Sequence, residues 1–163
     1  MAVLTVWRLT KAKHAATALT GHGSMLRAGR WHPRGRPAVY AASSPALALL
    51  ETLVHVGRAE LVRFAYVTIP LRFDASLLER WTPADLPPDW SAWPHTASTQ
   101  SLSRRWFDSR RTVVLEVPSA VVPHERNYVV NPLHARFGEL VAGPAEPFAI
   151  DRRLGATGAA SLG

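Results

Sequence analysis

Residues 3–9 alternate apolar and polar positions as a half-buried strand does. Residues 11–19 are alanine-rich and helical in look until Gly21 and Gly23 stop the pattern. The period is then lost: RAGRWHPRGRP, over 27–37, mixes Gly, Pro, Arg and Trp without repeat, which predicts a structured loop of the kind that often carries a site. Residues 38–41 read as a short strand. Ser43-Ser44-Pro45 predicts a helix start, because Ser44 can accept from a free first-turn N–H and Pro45 is pre-set for the first helical position; the helix should run over 45–56. Val, Phe, Tyr and Ile in 61–71 predict a strand ended by Pro70. Residues 81–93 form a proline-dense loop whose Trp81, Trp90 and Trp93 should fold back over the core. A helix over 99–110, strands over 112–117 and 127–130, a turn of helix over 132–135 and a strand over 137–142 follow. There is no internal repeat, so one domain over 1–153 is expected, and LGATGAASLG, over 154–163, lacks the apolar content to pack and predicts a disordered tail.

The chain has 163 residues, 47% hydrophobic and 19% charged, in the range of one globular domain with a real core. It contains no cysteine, which excludes disulfides, thiolate metal sites and cysteine nucleophiles and fits a reducing compartment. Apolar runs such as 45–50 and 113–115 fall far below the roughly 18 residues of a membrane span, and residues 1–10 carry no signal-peptide apolar region, so a cytoplasmic location without membrane contact is expected. The net charge is +7, and lysine occurs only at Lys11 and Lys13, so the excess is arginine, the better fork for phosphates and carboxylates. Such a balance suits a nucleic acid, an acidic protein or a phosphate-bearing small molecule. Arg104, Arg105, Arg110 and Arg111, on or near one helix, raise the class of a basic, non-catalytic nucleic-acid-binding domain. A coding sequence rich in G and C would also yield much Ala, Arg and Pro, so the charge carries little weight until it is localised.

Glu51 is the most informative position. Its helix, PALALLETLVHV, is apolar on nearly every side, and its neighbours three and four residues away are Leu47, Ala48, Val54 and His55. A carboxylate among such groups is costly unless it is paired or used, so pairing with an arginine for stability and a catalytic role stand level on burial alone. Arg30, in the Gly29-Arg30-Trp31 loop, could grip a diphosphate bidentately, although a surface arginine is the commoner outcome. Tyr40 would bring an aromatic face and a hydroxyl near the start of the Glu51 helix. Ser119 lies among polar residues at a strand end, followed by Asn127 and Asn131, which more often tie loops than catalyse. The G-x-S-x-G elbow, H-E-x-x-H, G-x-x-x-x-G-K and a strand-adjacent G-x-G-x-x-G are all missing, so a hydrolase triad, a zinc site or other metal centre, a P-loop and a standard Rossmann turn are not expected.

The runs VWRLT, GRWHPRGRPAVYAASSPALALLETLVH and VPSAVVPHERNYVVNPLH together resemble the RES-domain family, the toxins of RES-Xre toxin-antitoxin systems, from residue 6 to about 154. The resemblance implies a single α+β domain similar to the ADP-ribosyltransferase fold, with central mixed β-sheets flanked by short helices. It implies an enzyme that consumes NAD by cleaving the nicotinamide-ribose bond, as a glycohydrolase or phosphorylase, or that transfers ADP-ribose to a protein. NAD is then a substrate, with no true cofactor. The partner would be an Xre-type antitoxin that blocks the pocket and makes the DNA contact, so this chain would touch no nucleic acid itself. The family's functional positions fall on Arg30, Tyr40 and Glu51 as catalytic residues and on Arg8, Trp31 and Ser119 as substrate-binding ones. In that scheme Glu51 faces the developing sugar cation and Arg8 and Arg30 clamp the diphosphate. Tyr40 stacks on or orients the nicotinamide ribose, and Ser119 hydrogen-bonds the nicotinamide or ribose. His32 is a departure, since the family commonly has asparagine after Arg-Trp. An inactive relative that keeps the fold ranks below the enzyme, because Arg30, Tyr40 and Glu51 occur together.

Overall fold

In the computed structural model, which describes residues 2–156, the elements follow in the order β1 (Val3–Lys11), α1 (His22–Leu26), β2 (Val39–Ala42), α2 (Pro45–Val56), α3 (Arg58–Arg63), β3 (Tyr66–Asp74), β4 (Leu78–Arg80), α4 (Ala97–Ser109), β5 (Val114–Pro118), β6 (Arg126–Val130), β7 (Val141–Ala142) and β8 (Glu146–Phe148). The strands form one mixed sheet in the order β4-β5-β6-β2-β1-β3-β7, with β8 also on β3; β4 and β5 run parallel and the other pairs antiparallel. The fold is α+β, with short helices against the sheet.

Strand alternation divides the core. Val114 and Val130 face one way, into a cluster with Val6, Val39, Ile69 and Phe73, while Leu115 and Val129 face the other, against Trp31, Trp81, Trp106 and Phe107. A third cluster, Leu9, Ala42, Leu47, Ala48, Leu61 and Tyr66, seats α2 and α3. The centre of the sheet is uneven. β1 pairs with β3 along all of its length, from Val3 opposite Asp74 to Lys11 opposite Tyr66, but meets β2 at the single pair Trp7 and Ala42. Beyond that pair β1 and β2 make no further ladder pair among the described residues, and in this gap in the ladder Arg8 of β1 meets the Tyr40 carbonyl of β2.

α2 has the expected bounds, and the Ser44 hydroxyl accepts from the Leu47 N–H at 3.1 Å. Four other expectations are corrected. The stretch 11–19 holds a 3-10 helix, Ala12–Thr17, with no buried residue, and an α-helix forms only beyond Gly21. Leu61 belongs to helix α3: Gly57, at φ 80, turns the chain out of α2, and its carbonyl accepts from the Leu61 N–H. Strand β3 begins at Tyr66 and runs through Pro70, which is tolerated because it falls where the edge partner changes from β8 to β7. Residues 132–135 form turns, the helical turn comes at Phe137–Glu139, and only Val141–Ala142 of the expected last strand is extended. Leu154 packs on the third cluster and the Ala156 carbonyl accepts from Arg58 at 3.0 Å, while the rest of the expected tail, 157–163, lies outside the described residues.

Candidate active site

Glu51 is half-buried on α2, with Leu47 and Ala48 buried beneath it and Val54 and His55 turned to solvent. Among the described residues it has no arginine within ion-pair distance. Its Oε1 instead accepts from the Ser119 hydroxyl at 2.7 Å and from the Asn127 side-chain amide at 2.5 Å. Both donors converge on one carboxylate oxygen, which fixes the side chain, and Oε2 has no hydrogen-bond partner among the described residues. Asn127 reaches it because β6 pairs with β2, setting Asn127 opposite Ala42 just before α2.

Ser119 is fully buried at the end of β5. Its proton goes to Glu51, and its oxygen accepts from the N–H groups of Val121 at 3.1 Å and Val122 at 2.9 Å. All of its hydrogen-bonding capacity is engaged within the protein. In this arrangement the hydroxyl expected to bond nicotinamide or ribose is engaged by Glu51, Val121 and Val122.

Arg30 sits at the tip of the 27–37 loop, which closes on itself through the Gly29 N–H and the His32 carbonyl at 3.0 Å and is held to α4 by Gln100, whose amide donates to the Gly29 carbonyl at 2.9 Å. Its Nη1 donates to the carbonyls of Trp90 and Ala92, the latter at 3.0 Å, and its Nη2 and Nε bond to nothing among the described residues. Burial lowers its pKa, against the raising influence of Glu51 and then Tyr40. The guanidinium thus stands within electrostatic reach of the carboxylate and keeps its charge.

Arg8, on β1, enters the gap beside β2. Its Nη1 donates to the Tyr40 carbonyl at 3.3 Å, and its Nε is buried without a partner. Burial pushes its pKa down. That N–H remains able to donate to an anionic oxygen or to water. The Asn127 Oδ1 is likewise buried and unpartnered.

Tyr40 is held by its hydroxyl, 2.6 Å from His32 Nδ1. Burial drives the phenol pKa strongly upward, against the Trp31 backbone N–H and the Arg30 charge, so the group stays neutral. Trp31 is placed differently from expectation. It is 3% exposed and meets Trp81 edge-on in the second cluster, at 6.3 Å between ring centres. The indole expected to bind substrate thus faces the core in this structure. Of the other loop tryptophans, Trp81 is buried and Trp90 packs on the same cluster, whereas Trp93 is 82% exposed: the carbonyls of Trp90 and Ala92 turn in to Arg30 and leave it outside.

Arg8, Arg30, Tyr40, Glu51 and Ser119 thus come to one locality, and Trp31 supports it from behind. The sequence reading names Asn127 only as a residue that more often ties a loop; its strand position next to the Ser119 loop is the signal for its contact with Glu51. Asn131 ties a loop, its Oδ1 accepting from the Leu133 N–H at 3.1 Å. Of the arginines on or near α4, Arg104 and Arg105 are exposed on the helix, Arg110 caps it at φ 51, and Arg111, also exposed, is bound to Glu79 with Nη2 2.9 Å from Oε1. Among the described residues no helix is long and apolar enough to cross a membrane, and no cluster of three metal-ligating side chains occurs.

A mixed sheet whose central strands β1 and β2 pair at one position, with a helix-borne carboxylate held by Ser119 and Asn127 and the Arg30 charge within its reach, defines a small α+β domain. The chain belongs to the RES-domain family, whose model matches residues 5–151. It is 40% identical over 154 residues to the protein named Toxin Res of Photorhabdus laumondii, covering 93% of this chain and 97% of that protein. It is 38% identical over 153 residues to the Prs ADP-ribosylating toxin of a Sphingobium species, covering 91% and 94%. Among solved structures, a chain of the MbcT-MbcA toxin-antitoxin complex of M. tuberculosis has the same fold, with a TM-score of 0.73 at 20% identity over 90% of this chain and 85% of that one.

Proposed function

We propose that this protein is the toxin of a toxin-antitoxin pair and consumes NAD by breaking its nicotinamide-ribose bond at Glu51. The observation that carries the reading is the carboxylate itself. Glu51 is fixed through Oε1 by Ser119 and Asn127, its Oε2 has no partner among the described residues, and the Arg30 charge stands within reach. When the C1′–N bond breaks, its electron pair goes to the nicotinamide nitrogen and discharges the pyridinium. Positive charge then builds on C1′ and the ring oxygen of the ribose. A fixed carboxylate beside that charge stabilises the transition state more than the substrate, which is the condition for catalysis.

Arg30, through Nη2 and Nε, and Arg8, through its unpartnered Nε, bind the diphosphate. Tyr40 orients the nicotinamide ribose. The acceptor closes the reaction: a lone pair of water, inorganic phosphate or a protein side chain bonds C1′ and its proton leaves to solvent, giving hydrolysis, phosphorolysis or ADP-ribosyl transfer. NAD is the substrate, and the scheme uses no separate cofactor. An Xre-type antitoxin that covers the pocket is the partner, and an acidic segment would suit Arg8 and Arg30. Relatives named as toxins, one of them ADP-ribosylating, and a structural neighbour solved as a toxin-antitoxin complex support this assignment. A toxin that depletes NAD acts in the cytoplasm.

Product analysis tests the reading. Purified protein incubated with NAD should release nicotinamide together with ADP-ribose, with its 1″-phosphate when phosphate is added, or with label on a protein when lysate is added. Intact NAD under all three conditions would overturn it.

A further inference from the structure

His32 occupies a position that the scheme above leaves without a role, and its surroundings are specific. It is 4% exposed, and both ring nitrogens are engaged. Nε2 lies 2.9 Å from the Ser24 carbonyl and 2.8 Å from that of Arg27, and Nδ1 lies 2.6 Å from the Tyr40 hydroxyl. Carbonyl oxygens only accept, so Nε2 carries the proton. Burial lowers the His32 pKa, opposed by those same two carbonyls, and the ring is neutral at pH 7. Nδ1 of a neutral ring protonated on Nε2 is an acceptor, and the phenolic proton of Tyr40 must point at it.

The backbone is built for this contact. A Cβ at Gly29 would stand 2.6 Å from His32 Cε1, 2.8 Å from Nδ1 and 3.1 Å from the Tyr40 oxygen, so the loop closes over the pair only with glycine there. The rings meet edge-on, with centres 5.5 Å apart and planes at 61°.

We propose that His32 is a positioning residue whose Nδ1 accepts the Tyr40 phenolic proton and so fixes the plane of that ring, leaving the ring face, not the hydroxyl, for the ligand. The proposal deepens the NAD reading and, for its kinetic part, rests on it. A phenyl ring turns easily about its Cβ–Cγ bond, and a stacking surface is useful only if its plane is set before the ligand arrives. His32 sets that plane from behind, out of contact with the ligand.

Isosteric variants separate positioning from packing. Glutamine keeps a donor near the place of Nε2, for the two carbonyls, and loses the acceptor at Nδ1. Asparagine does the reverse. His32→Gln and Tyr40→Phe are each expected to lower kcat/KM for nicotinamide release by about tenfold, the scale of one lost hydrogen bond. Their double variant should lose no more than either alone. His32→Asn should recover most of the loss, and Tyr40→Leu should fall at least about tenfold below Tyr40→Phe, because it removes the ring face. Rates are compared on proteins shown by melting curves to be folded. Losses that multiply in the double variant, a fully active His32→Gln, or His32→Asn no better than His32→Gln would overturn the proposal.

Nitrogen-15 NMR of the imidazoles gives a readout independent of turnover. Nε2 should be protonated and Nδ1 bare, with the Nδ1 resonance moving in Tyr40→Phe. If the wild type leaves NAD intact, the NAD reading fails while the His32–Tyr40 coupling is still decided by this spectrum. A protonated Nδ1, or one indifferent to Tyr40→Phe, would overturn it.

Discussion

Removal of the Ser119 hydroxyl by Ser119→Ala distinguishes a positioning serine from a nucleophilic one. The hydroxyl donates to Glu51 Oε1 at 2.7 Å and accepts from two backbone N–H groups at 3.1 and 2.9 Å, all at a fully buried residue. A hydrogen bond to a charged group contributes about 2 kcal/mol, and each N–H left without its acceptor costs about 0.5 kcal/mol where water can partly replace it. The variant should therefore be about 3 kcal/mol less stable, which for a chain of 163 residues lowers Tm by about 6–12 °C. Glu51 keeps the Asn127 bond, so the carboxylate stays in place but less firmly. NAD cleavage should fall by about 10- to 100-fold, mainly in kcat. Urea unfolding and nicotinamide release at a temperature well below both melting points measure the two effects separately. A nucleophilic serine would instead lose at least about 10⁴-fold. Wild-type stability, or a loss of that larger size in a folded variant, would refute the reasoning.

Gly29→Ala pushes a methyl into His32 and the Tyr40 oxygen and should cost activity at a residue that touches no ligand; thermal melts and kcat/KM measure it together. Trp31→Leu should destabilise the fold by about 2–4 kcal/mol by opening a void beside Trp81, with KM for NAD unchanged in the folded fraction; an altered KM in a stable variant would return Trp31 to the ligand. His32 also predicts a pH dependence of stability. Its folded pKa lies below the ordinary 6.5, so the unfolded chain binds the proton more readily and stability present at pH 7 is lost as pH falls through 6.5 toward the folded value. Denaturation midpoints between pH 7 and 5 should drop less in His32→Asn than in the wild type.

The parts of the site legible in the sequence are those whose physics is local. Ser44 and Pro45 mark the start of α2 because capping involves residues within one turn, and the helix has the expected bounds. Glu51 is conspicuous because a carboxylate among leucines needs a use. What holds Glu51 is not local: Ser119 and Asn127 lie 68 and 76 residues further along the chain and arrive only when β6 pairs with β2. The same distance hides Trp31. Its place beside Arg30 suggests a ligand contact, but successive residues of the loop turn opposite ways, and the indole goes to Trp81. Around Leu61 a short apolar run fits a buried helix turn as well as a strand, and the positive φ that a glycine permits at Gly57 decides between them. The packing of Leu154 was missed because its partners come from α2, α3 and the region of β8.

The central claim is that Glu51 breaks the nicotinamide-ribose bond of NAD, and the most direct measurement follows nicotinamide release by the wild type beside Glu51→Gln. Glutamine keeps the shape and a carbonyl oxygen for Ser119 and Asn127, so the fold should be retained while the negative charge is lost. The account predicts release by the wild type and a fall of at least about 10²-fold in a variant that melts normally. Equal release by both proteins, or none by either, would contradict it.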